Sequence, residues 1–221
     1  MEDAGVGGRW TEVSADGDDA IDPPSEFSER AVARDTDIYE AFEAEGPAAW
    51  HRAADLLDWE RPYETVLDDS DPPFYEWFPE GRLNAAVNCV DRHLDDRRNQ
   101  LAIRWFGKRG ERRSYTYLDL YREMNALASG LRELGVEEGD VVTLYLPMTP
   151  ELPISMLACA RIGAPHNVVF AGLSAEALAT RLDAADSEYL ITCDGYYHRE
   201  DAFNQKSKAD NARLRMDGEL D

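Results

Sequence analysis

A chain of 221 residues suffices for one domain with a sizeable core, or one domain with an appendage. Its hydrophobic share of 43% argues against wholesale disorder. Forty-five acidic residues outweigh 23 basic ones, and the formal net charge of -22 argues against nucleic acid and anionic membranes as partners. Lys108, Lys206 and Lys208 are the only lysines. A carboxylate-covered, Arg-over-Lys surface predicts a halophilic protein whose self-repulsion is screened by concentrated salt, with an ordinary acidic cytosolic protein as the alternative.

Residues 1–36 are rich in Asp, Glu, Gly and Ser and show no hydrophobic period, which predicts disorder because so little apolar surface cannot offset the ordering entropy. From Ile38, IYEAFEAEG and PAAWHRAADLLDW place apolar residues at helical spacing and predict two short helices. LDDSDPPFYEWFPEG reads as a loop, with Phe74, Tyr75, Trp77 and Phe78 as a packed plug between subdomains. LNAAVNCVDRHL aligns Leu83, Val87, Val90 and Leu94 on one face of a predicted helix.

LAIRWF and SYTY, separated by GKRGERR, predict a β-hairpin. Thr116 and Asp119 have the spacing of a capping box, and the helix they open stops at Gly135. Strand and helix periods then alternate through VVTLYL, PELPISMLACARI, HNVVF, SAEALATRLDAA and EYLITC. Apolar strands joined by helices of about a dozen residues predict βαβ crossovers and a parallel sheet covered on both faces. The fold class is therefore α/β: a partial doubly wound parallel sheet, preceded by short helices and an acidic N-terminus. The final stretch, from Asp194, is polar and suggests no further strand, so the sheet looks cut short.

Chemistry is sparse at the level of motifs. GxGxxG, GxxxxGK[ST], HExxH and GxSxG are all absent. Cys89, Cys159 and Cys193 are odd in number and widely spaced, which predicts free thiols in a reducing, cytoplasmic setting. No stretch reads as a signal peptide or a membrane span. His51, His166 and His198 lack metal-ligand spacing. Asp91 and His93 sit two apart, so a hydrogen-bonding role is favoured over an acid–base pair. Arg112 and Arg113 in the hairpin turn are either phosphate contacts or a solvated turn. Gly172 after HNVVF is either part of a nucleotide site or the positive-φ residue of a chain reversal, the residues alone favouring the latter. Ser174 reads as a helix N-cap.

In sequence order, FYEWFPEGRLNAAVNCVDRHLDDRRNQLAIRW and SYTYLDLYREMNALASGLRELGVEEGDVVTLYLPMTPELPISMLACARIGAPHNVVFAGLSAEALATRLDAADSEYLIT closely resemble the N-terminal part of AMP-forming acetyl-CoA synthetase (acetate–CoA ligase), a member of the adenylate-forming superfamily. The resemblance spans roughly 38–208. After the acidic segment over 1–36, it implies a helical N-terminal extension over 37–95 and an incomplete α/β subdomain over 96–221. It also implies a two-step reaction: acetate attacks the α-phosphate of ATP, releasing pyrophosphate, and the CoA thiol then displaces AMP from acetyl-adenylate. Mg²⁺, a Ser/Thr/Gly-rich phosphate loop, an acyl pocket and a lid lysine serve that chemistry in the family. This chain holds no match to the loop, pocket or lid, so no catalytic residue is assigned.

What the resemblance does carry over is one wall of a CoA site. The family's Phe-Gly-Gly matches Phe170, Ala171 and Gly172. A family Arg pair that binds CoA phosphates falls on His198 and Asp201, with Arg199 displaced by one residue as the remaining cation. The implied cofactor set is CoA at a partial site, with ATP and Mg²⁺ by family alone. Implied partners are CoA, acetate, ATP and a complementary C-terminal chain or full-length paralogue. A non-catalytic remnant or interaction module, and part of a propionate or other short-chain ligase, are the alternatives.

Overall fold

The computed structural model describes residues 23–31, 37–198, 201–218 and 220. Two compact units divide at His51/Arg52. In the first, α1 (Ser25–Arg30) and α2 (Asp37–Glu45) are followed by a 3₁₀ turn at Gly46–Trp50, where the Phe42 and Trp50 rings meet edge to face at 5.2 Å. The disorder expected over 1–36 falls mainly outside the described residues. Within them, Ser25–Arg30 departs from it by forming a helical turn with no buried residue.

The second unit starts within α3 (His51–Ala54). The aromatic segment expected as a loop is an antiparallel pair, β1 (Leu67–Asp71) with β2 (Phe74–Trp77), joined across a cis Pro72–Pro73 bond. Neither strand has a buried face, so the alternation that would reveal them in sequence is missing. Phe74, Tyr75 and Trp77 are exposed and form no plug. Phe78 alone packs inward, against Trp59 and Tyr63.

The helix expected across 83–94 is broken. Residues α4 (Ala85–Cys89), a 3₁₀ turn (Asp91–His93) and α5 (Leu94–Arg97) replace it, because Val90 leaves helical geometry at φ -128° and ψ -61°. Side chains on either side of the break are engaged elsewhere: Asn88 donates to the Asp58 carbonyl at 2.9 Å, and Asp91 accepts two bonds from Arg161 at 2.5 and 2.7 Å. The hairpin forms as β3 (Leu101–Phe106) against β4 (Arg112–Thr116). Thr116 and Asp119 complete the capping box that opens α6 (Tyr117–Glu133). Gly135, at φ 101°, ends it, with the Val136 N–H bonded to the Leu131 carbonyl at 3.0 Å and the Gly135 N–H to that of Arg132 at 3.1 Å.

Three parallel strands form the centre in the order β6–β5–β7: β5 (Val142–Tyr145), β6 (His166–Val168) and β7 (Tyr189–Thr192). They are connected by α7 (Glu151–Ile162) and α8 (Ala175–Ala184), whose N-cap is Ser174. All four residues of β5 are buried, and its alternation separates two cores. Val142 and Leu144 join the α4, α6 and α7 side chains, whereas Tyr145 joins Val169, Leu178, Leu182 and Ala212. The sheet is thus covered on both faces, as the apolar strands require. The polar tail also folds, with β8 (Gly195–His198) antiparallel to β9 (Asp201–Asn204), followed by α9 (Gln205–Arg213). This corrects the expectation of no further strand.

Candidate functional site

Parallel sheets leave a crevice at the carboxyl ends of their strands wherever successive crossovers leave on opposite faces. That arrangement occurs here. The chain passes from β5 through α7 to β6, then crosses back through α8 to β7 on the far side of β5. Past the ends of these three strands, Leu146–Thr149, Phe170–Gly172 and Cys193 line one cavity of about 1030 Å³. The β3–β4 turn forms a second wall through Trp105–Arg109, and the β8–β9 hairpin a third through Tyr196, Tyr197, His198 and Phe203.

Specific bonds hold these walls. The Trp105 indole N–H donates to the Met148 carbonyl at 2.8 Å. Arg113, lying 4.8 Å over the Trp105 ring, makes a two-pronged ion pair with Glu151 at the start of α7. That guanidinium holds the Glu151 carboxyl well below its ordinary range, at about 2, against the opposing effect of burial. Tyr145 donates to the Leu173 carbonyl at 2.7 Å and Tyr196 to the Ala171 carbonyl at 3.2 Å, so two phenols fix the 170–173 turn from below. Burial raises the pKa of both phenols, which remain donors at neutral pH. Burial likewise raises Cys193, leaving a protonated thiol in the cavity wall.

Of the residues singled out from sequence, Phe170, Ala171 and Gly172 stand together on this wall. Phe170 is 71% exposed, whereas Ala171 is buried. Gly172 sits in the reversal expected from sequence, a turn closed by the Leu173 N–H on the Phe170 carbonyl at 3.0 Å, but without the positive φ expected of it. Its lack of a side chain matters because an added Cβ would run into the edge of the Phe170 ring. His198 lines the cavity; Asp201, its cross-strand partner, is not among the lining residues. Arg199 lies outside the described residues. Arg113 is committed to Glu151, and Arg112, 5.5 Å over the Phe106 ring, is not among the residues that line the cavity. His93 packs on the Tyr117 ring at 5.0 Å while Asp91 bonds Arg161, so the two serve structure separately.

Tyr196, Tyr197, Phe203, Arg109 and Lys208 were not singled out from sequence. For Tyr196, Tyr197 and Phe203 the signal was the aromatic content of GYYH and DAFN, masked by the polarity of the surrounding tail. Among the described residues no group of three His, Cys, Asp or Glu is placed to hold a metal ion, and no helix is long and apolar enough to cross a membrane.

A crevice at the switch point of a parallel sheet, bounded by aromatic rings, is where open α/β proteins of this class take their ligands. Residues 90–219 match the model of the AMP-binding enzyme family, and residues 36–89 that of the acetyl-coenzyme A synthetase N-terminus. The chain belongs to the AMP-binding enzyme family. It is 47% identical to the acetyl-coenzyme A synthetase of Gemmatimonas aurantiaca over 192 residues, which is 86% of this chain and 29% of that protein. It is 48% identical to the acetyl-coenzyme A synthetase of Pyrobaculum arsenaticum, over 76% of this chain and 27% of the relative. Among solved structures, acetoacetyl-CoA synthetase from Streptomyces lividans superposes with a TM-score of 0.72 at 26% identity, covering 88% of this chain and 33% of the other. The chain therefore spans under a third of the length of these curated relatives.

Proposed function

We propose that this chain supplies the CoA-facing wall of an AMP-forming acetyl-CoA synthetase. The observation that supports this most is the placement of Phe170 and Gly172 at the carboxyl ends of the parallel strands, on a cavity large enough for a nucleotide. The exposed Phe170 ring offers a face for adenine, and the absence of a side chain at Gly172 leaves room for the edge of that ring beside the turn. Cavity and ring both fit the nucleotide end of CoA.

Acetate activation by ATP and Mg²⁺ belongs, in this reading, to a polypeptide corresponding to the rest of the relatives' length, whether a complementary chain or a full-length paralogue. Exposed Phe106 and Met148 at the cavity rim, 61% and 79% accessible, favour such a partner. The experiment is a CoA titration followed by tryptophan fluorescence, Trp105 being in the cavity wall. Phe170→Ala is expected to weaken CoA binding roughly tenfold, the order of one stacked base. Unchanged affinity would remove Phe170 from the site. With ATP, Mg²⁺ and acetate, this chain alone is expected to release no pyrophosphate, and measurable turnover would overturn that division of labour.

A further inference from the structure

The turn that carries Phe170 belongs to no strand or helix. Its last backbone tie to the sheet is the Val169 N–H on the Leu144 carbonyl at 2.9 Å, and the Leu173 N–H on the Phe170 carbonyl at 3.0 Å closes it upon itself. Among the described hydrogen bonds, two side chains hold it from outside. Tyr145, fully buried at the end of β5, donates to the Leu173 carbonyl at 2.7 Å, and Tyr196 of β8 donates to the Ala171 carbonyl at 3.2 Å.

The two phenols anchor the turn to different bodies. Tyr145 belongs to the central sheet, so its bond fixes the turn to the strand ends. Tyr196 belongs to β8–β9, a two-stranded sheet separate from the central one. Its ring stacks on Phe203 of β9, with centres 5.7 Å apart and planes 20° from parallel, so the hairpin carries the hydroxyl as part of a rigid pair. The Tyr196–Ala171 bond is the one described hydrogen bond between this hairpin and the Phe170 turn, and Phe170, Tyr196 and Phe203 all line the cavity. That bond therefore sets how far apart the two walls stand. Ala171 supports it, because its methyl is buried and a residue with a Cβ has fewer open torsions than the glycine that follows.

We infer that Tyr196 is a positioning residue for the nucleotide end of CoA: its hydroxyl sets the spacing at which a flat heteroaromatic ring lying against Phe170 also touches the β8–β9 hairpin. This rests on the CoA reading of the cavity. Removing the hydroxyl leaves the stacked ring in place but lets the hairpin part from the turn. A gap of about 0.5–1 Å already forfeits roughly a quarter to a half of the attraction of each contact.

The test uses the full chain in KCl sufficient to hold its far-UV circular dichroism constant, with CoA and 4′-phosphopantetheine, which lacks the adenine nucleotide, as paired probes. Tyr196→Phe is expected to weaken CoA roughly fivefold, the order of one neutral hydrogen bond, and to leave 4′-phosphopantetheine unchanged. Because Tyr196 acts through Phe170, adding Tyr196→Phe to Phe170→Ala is expected to lose no further affinity for CoA. A merely structural hydroxyl would instead weaken both probes alike or give additive losses in the double variant, and either result overturns the positioning role. If Phe170→Ala weakens CoA and Tyr196→Phe does not, the spacing inference fails and the CoA wall stands. A wild type that binds CoA no more tightly than 4′-phosphopantetheine overturns both.

Discussion

Glu151 occupies the first turn of α7, where unbonded N–H groups favour negative charge, and Arg113 reaches it from β4 across the cavity mouth. The carboxyl titrates at about 2 in the folded chain against an ordinary value of 4.5, chiefly through the Arg113 hydrogen bonds. A depressed folded pKa means that the charged form is favoured by folding. The stabilisation is therefore complete above about pH 4.5 and is lost as pH falls toward about 2. Both side chains are substantially exposed, at 39% and 52%, so solvent screening keeps the effect small. In melting curves from pH 6 to 2, Arg113→Gln is expected to flatten the acid limb within that window, lowering stability slightly above pH 5, where the pair is charged, and leaving it nearly unchanged close to pH 2. An acid limb identical to wild type would place the pH dependence on other carboxylates. The same scale explains Gly172, where an added Cβ would displace the exposed Phe170 ring and no backbone torsion calls for glycine. That reason is invisible in sequence, where a lone glycine after a strand reads as a turn.

Elements were legible where a local rule and a tertiary demand coincide. The Thr116–Asp119 box, the Ser174 cap and the alternation from β5 to β7 follow from spacing, because each is satisfied within one element or one crossover. The break after Cys89 was not, because its causes lie at Asp58 and Arg161. Asn84 shows the same coupling. Its carboxamide oxygen accepts from the Ala86 and Val87 N–H groups at 2.9 and 3.3 Å, capping α4. Its amide nitrogen donates to the Ala160 and Arg161 carbonyls at 3.0 and 3.3 Å, tying α4 to the last turn of α7. Asn84→Ala removes the cap and both bonds to the end of α7, where the Ala160 carbonyl keeps the Gly163 N–H, for an expected loss of about 1–3 kcal/mol in denaturant unfolding. Asn84→Asp keeps the cap acceptor but turns a carboxylate toward those carbonyls, at the negative end of α7. It is expected to be at least as destabilising as Asn84→Ala. A mild effect of the Asp variant would show that capping alone matters.

The sheet and its crossovers were readable across the molecule because apolar strands must be covered on both faces; the cavity's third wall was not, because β8, β9 and α9 bury few residues and so carry little hydrophobic pattern. Net charge, unlike any one ion pair, acts at this scale. The described ion pairs engage Glu26, Asp58, Asp91, Asp96, Glu151 and Asp210, and most other described carboxylates face solvent. Their mutual repulsion opposes compaction and weakens as the screening length falls from about 10 Å at 0.1 M salt to about 3 Å at 1 M. The unfolded chain spreads the same charges farther apart, so screening favours the folded state. The unfolding temperature is thus expected to rise by several degrees between 0.1 and 1 M KCl, and to rise similarly in NaCl, because chloride salts act here mainly through ionic strength. Sucrose, which is uncharged, separates this from general exclusion of cosolute from the surface. If sucrose matched the effect of KCl at equal osmolality, repulsion between carboxylates would not be what limits stability at low salt.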